Sequence, residues 1–92
     1  MTQQYIIGEF SCLLAELQPA PGAWLGGAVD DLRREVEVSP LTMLPQLAVE
    51  AMTLAETMCW VALEHGDMSG FCRCAKTAAA LRDFTASACL VA

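Results

Sequence analysis

The side chains best suited to chemistry gather in one stretch of the chain, where Cys59, His65, Cys72 and Cys74 follow one another closely. Thiolates and an imidazole are the ligands of structural zinc, and neighbouring thiols can form a redox pair. The spacing disfavours both. Cys72-Arg73-Cys74 lacks the usual two-residue gap between ligands, and on a regular helix residues i and i+2 point about 200° apart. These two thiols could share an ion only if the segment unwound at its start. A thiol or zinc site around Cys59, Cys72 and Cys74 is therefore the third of three readings, and no metal ligand or cofactor is assigned. Five cysteines, Cys12, Cys59, Cys72, Cys74 and Cys89, make an odd count spread through periodic segments. That is how reducing compartments use thiols, as small buried hydrophobes.

His65 is the single histidine and precedes Gly66. At the end of a helix its protonated ring would favour the C-terminal dipole, and this capping role is the expected one. A phosphotransfer histidine needs an exposed basic surround, whereas this one has Glu64 and Asp67 nearby. No carboxylate stands three residues before it, as a di-iron bundle would require. Asp30-Asp31 and Glu35 with Glu37 read as a solvated helix face. With no glycine-rich phosphate loop and no serine or cysteine dyad, the expected protein is not an enzyme, and no catalytic residue is assigned.

Charge narrows the partners. Eleven acidic against five basic residues leave a net charge of −6, and Arg33, Arg34, Arg73, Lys76 and Arg82 form no run. A grip on nucleic-acid phosphates is not expected. Nor is the carboxylate density that of a DNA mimic. Met1-Thr2-Gln3-Gln4 has no basic signal region, and Glu9 interrupts the apolar stretch after it, so the expected location is cytoplasmic. Glu50, Glu56 and Glu64 break the longest apolar run, so no membrane span is expected.

Four amphipathic segments must carry these residues. Tyr5 to Leu17 sets Ile6, Phe10, Leu13, Leu14 and Leu17 on one arc, with Tyr5, Glu9, Cys12 and Glu16 opposite. Gln18-Pro19-Ala20-Pro21-Gly22 ends it, because proline cannot continue the hydrogen-bond ladder. Ala23 to about Glu37 repeats the pattern with Trp24, Leu25, Ala28, Val29, Leu32 and Val36 on one face. Gly26-Gly27 costs this helix about 1 kcal/mol per glycine relative to alanine, so close packing is the expected reason for the pair. The third helix can start at Ser39-Pro40 or at Leu44-Pro45. The fourth follows His65-Gly66-Asp67-Met68-Ser69-Gly70, with Ser69 as a candidate cap, and turns Phe71, Cys74, Ala75, Ala78, Leu81, Phe84, Ala88 and Val91 inward. Its alanines permit close helix approach.

From Pro45 to His65 the polar side chains occupy one narrow sector holding Gln46, Glu50, Thr53, Thr57 and Glu64. The remaining apolar arc spans roughly 240°, against about 100 to 140° for an ordinary surface helix. Such a helix needs neighbours on two or three sides. Trp60 falls at the border of the polar sector beside Val49 and Glu56, which makes it the candidate interface anchor. The competing reading is a core tryptophan covered by the first helix.

Two partial resemblances arise. Trp24-Leu25-Gly26 is similar to the Trp-x-Gly signature of small helical-hairpin secretion substrates, but prolines interrupt the two long arms of that family. Gly66-Asp67, with Ala78 beyond it, resembles the turn of a tetratricopeptide repeat, but Phe71 and Ala75 reverse the small-then-large order of the repeat. Neither assigns a family.

The expected fold is all-α: one helical domain over residues 1–92, a compact four-helix bundle with short loops and helix three (about 45–65) at its centre. With 55% hydrophobic and 17% charged residues, a domain this small cannot easily hide its apolar load. The expected function is a small interaction or regulatory module, homodimeric, acting through an apolar helical surface of Val49, Met52, Trp60 and Leu63 rimmed by Glu50, Glu56 and Glu64. The alternative is a chaperone-like or carrier bundle whose Met43, Met52 and Met58 line a groove for a hydrophobic ligand or peptide.

Overall fold

The computed structural model describes residues 3–18 and 22–91, with the side chains of 5–18, 22 and 24–87. Four helices follow in order: α1, Gln3–Ala15; α2, Ala23–Val38; α3, Leu44–Glu64; and α4, Met68–Val91. No strand occurs among the described residues. The prolines proposed to stop α1, Pro19 and Pro21, lie outside the described residues, as do the side chains of Cys89, Ala88 and Val91. Short connections make successive helices antiparallel neighbours. The chain is an all-α, four-helix bundle-like domain in which the α3–α4 hairpin is the most extensive contact, α2 packs on α3, and α1 lies on α2 and α4.

The predicted apolar arcs become the core. Phe10, Leu14 and Leu17 of the first segment, Leu25, Val29 and Val36 of α2, and Met58, Cys74 and Leu81 of the hairpin are fully enclosed or nearly so. Tyr5, Glu9, Cys12 and Glu16 are exposed, as their side of the helix predicts. Phe10 and Phe84 stack at a tilt with centroids 5.0 Å apart, which ties α1 to α4. Each buried side-chain N or O atom among the described residues is hydrogen-bonded.

Three local expectations change. Trp24 was placed on the core face of α2 and is instead 66% exposed. It stands about 100° from Leu25, at the edge of the arc, where angle alone does not decide burial. A Cβ on Gly27 would meet nothing within 4 Å, so close packing does not explain that glycine. The cap of α4 is Asp67, not Ser69: the Gly70 N–H donates to Asp67 Oδ1 at 2.9 Å, while Ser69 lies inside the first turn. A Cβ on Gly70 would meet that carboxylate, so a larger residue here would have to displace the Asp67 side chain from its capping position.

The start of α3 is also settled. Ser39 caps the end of α2, its N–H donating to the Glu35 carbonyl. A single 3-10 turn, Leu41–Met43, follows Pro40, and Pro45 stands in the first turn of α3. At the other end the Asp67 N–H reaches the Ala62 carbonyl at 2.9 Å and the Gly66 N–H reaches the Leu63 carbonyl at 3.1 Å. Gly66 has φ +71°, so this is a Schellman closure with glycine in the left-handed position. It reverses the chain tightly and launches α4 back along α3. His65 is the exposed C-cap residue, as expected for the end of that helix.

Candidate interaction surface

One face of α3 is sealed: Leu44, Leu47, Ala48, Ala51, Ala55, Met58 and Ala62 are buried. Wound at about 100° per residue, Trp60 stands nearly opposite the centre of that face. Its ring is 66% exposed, Val49 is 52% and Leu63 42% exposed. The reading of Trp60 as a core residue covered by α1 is thereby overturned, since α1 packs on α2 and α4. Helices α2 and α4 cover two sides of the wide apolar arc of α3, and the third side is left open.

Of the four residues assigned to the surface, Val49, Trp60 and Leu63 are exposed on this open side. Met52 is half-buried against the core. Its sulfur lies 3.3 Å from Thr85 Oγ1, the hydroxyl that donates to the Leu81 carbonyl at 2.7 Å. Met52 thus faces α4 and marks the inner edge of the surface. Glu50, Glu56 and Glu64 are all exposed around it.

Between α3 and α4 the same side opens into a groove of about 400 Å³. Cys59, Trp60 and Leu63 form its α3 wall, and Phe71 with Ala75, Ala78 and Ala79 its α4 wall. Glu56 and Arg82 add one charge of each sign to the lining. The hollow has a simple origin, because three alanines of α4 stand where longer side chains would fill the space beside Trp60. Sequence reading missed the α4 half. The alanines were visible, but which residues of α3 they face depends on the register of the hairpin.

The carrier reading named Met43, Met52 and Met58, and none of them lines the groove. Met58 is sealed in the core, and Met43 lies on the 3-10 turn at the far end of α3. The adaptable methionine lining required by that version is absent because the helical angle of Met58 points it at the bundle interior.

The thiols separate as the helical geometry predicts. Cys72 is exposed and Cys74 buried, so the two point apart. Among the described residues no three His, Cys, Asp or Glu side chains are grouped to hold a metal ion. Cys59, half-buried in the groove, has its thiol pushed up from the ordinary value, first by burial, then by the neighbouring Cys74 and Glu56. A raised value keeps the thiol protonated and a poor nucleophile. No described helix is long and apolar enough to cross a membrane. No protein family matches the chain, and neither a curated protein nor a solved structure does.

Proposed function

We propose that this chain is a small, non-catalytic interaction module of the cytoplasm that works by burying the open side of α3 against a second copy of itself. The observation that carries this reading is the exposure of Trp60 together with Val49 and Leu63 on one flank of a helix whose other sides are packed. Large apolar side chains exposed singly are ordinary, but Trp60 and Leu63 stand together on the wall of a groove, with Val49 further along the same flank, which favours burial by a partner. Tryptophan is the residue type that most often anchors such contacts, and the glutamates around it supply a polar rim. The odd cysteine count, with Cys12 and Cys72 exposed as free thiols, suits a reducing compartment.

Light scattering tests it directly. At micromolar concentration the expected species has twice the 9.9 kDa chain mass, and Trp60→Ala shifts it to the monomer without loss of helical circular dichroism. A protein that stays monomeric, with Trp60→Ala changing neither mass nor stability, refutes the reading. The groove also has a volume within the range of small-ligand pockets, about 300 to 1,000 Å³, which favours a carrier as the second reading. It predicts a natively folded monomer that binds an apolar dye in competition with bulky alkylation of Cys59.

A further inference from the structure

The surface between α3 and α4 is complementary to itself, in shape and in charge. Its α3 side is a ridge of two large side chains, Trp60 and Leu63, and its α4 side is a hollow floored by Ala75, Ala78 and Ala79. The Met52–Thr85 contact sets the register of the antiparallel pair. It puts Trp60 level with the alanines and Glu56 within about one turn of Arg82. Among the described residues neither Glu56 nor Arg82 forms an ion pair; Arg34 with Asp31 does. One acidic and one basic group therefore flank the hollow from opposite helices.

We infer that two copies associate about a two-fold axis running along the groove, so that α3 of each copy lies over α4 of the other; this rests on the self-association proposed above. An axis in that direction exchanges the two sides of the surface. The ridge of one copy then enters the alanine hollow of its partner, and Glu56 of each meets the partner's Arg82, twice per dimer. An isologous contact requires this reciprocity, in which residue i touches j and j touches i. A two-fold axis across the helices would instead set ridge on ridge and alanine on alanine, leaving the hollow empty and placing like charges together. Close packing and charge both select the first arrangement.

Charge exchange provides the test. Glu56 and Arg82 are exposed, so Glu56→Arg and Arg82→Glu should leave the circular dichroism spectrum unchanged. Each single variant sets two like-charge contacts in its own dimer, and its self-association, measured by sedimentation equilibrium, is expected to weaken roughly tenfold or more. Mixed in equal amounts, the two variants regain both opposite-charge contacts and are expected to pair with near-parental affinity as a heterodimer. Single variants that associate like the parent, or a mixture that gains nothing over its components, overturn the arrangement while the parent's dimerisation still stands. A monomeric parent in the same run overturns the arrangement and the proposed function together.

Discussion

Cys59 and Trp60 are adjacent in sequence and stand in different dielectric surroundings. The Trp60 ring projects into solvent, while the Cys59 thiol is half-buried at the foot of the same wall. Burial, then Cys74 and Glu56, hold the Cys59 proton more tightly in the folded chain than in the unfolded one. The sign follows: this thiol costs nothing while protonated in both states, and stability falls as the pH rises above the ordinary thiol value toward the raised one. The expected outcome at neutral pH is that mass-resolved iodoacetamide labelling modifies exposed Cys12 and Cys72 well before Cys59, with Cys59→Ser flattening the alkaline loss of stability. Labelling of Cys59 ahead of Cys72 contradicts this account. At this scale the sequence placed Trp60 at the polar border by angle alone, and the same argument put Trp24 on the wrong side of a border. Side chains at the edge of an arc are decided by whether a neighbouring helix happens to lie there.

Within the elements, the helix that contradicts its own propensity is α2. Gly27 is exposed in its second turn, and a Cβ there meets nothing within 4 Å. Its conformational entropy is therefore an uncompensated cost, and Gly27→Ala is expected to stabilise the fold by about 1 kcal/mol. That is a rise of about 4 to 8 °C in thermal midpoint for a domain of this size, read by circular dichroism. A fall in midpoint would sink the open-space account of Gly27. Gly70→Ala is the contrasting case, since its Cβ would push the Asp67 carboxylate out of the position in which it caps α4. Helix number, order and inward faces were legible because the 3.6-residue period repeats several times in each segment. The cap and the start of α3 were less so, because Ser39, Leu44-Pro45, Asp67 and Ser69 are all suitable residue types and only backbone geometry chooses among them.

Across the whole molecule the hairpin is the largest contact, and α1 and α2 close the side of it away from the groove. The Cα radius of gyration of 12.8 Å is close to the roughly 12 Å of a compact domain of this length. Phe84, 7% exposed and stacked on Phe10, joins first helix to last. Phe84→Ala is expected to cost about 3 to 5 kcal/mol, a large share of the roughly 5 to 15 kcal/mol that holds a domain together. Urea titration should show a markedly earlier midpoint, and a midpoint within 1 kcal/mol of the parent would mean the α1–α4 contact is dispensable. The sequence alone determined that the chain is four amphipathic helices and that α3 has too little polar surface for an ordinary outer helix. Those properties are local, set by residue type and angle along a single helix. The tertiary structure decided that α1 leaves Trp60 uncovered, that Met58 is sealed, and that the alanines of α4 stand opposite the Trp60 ridge with Glu56 and Arg82 beside them. Each depends on which helices touch and in what register, and that register comes from the Gly66 closure and the Met52–Thr85 and Phe10–Phe84 contacts between residues far apart in the chain.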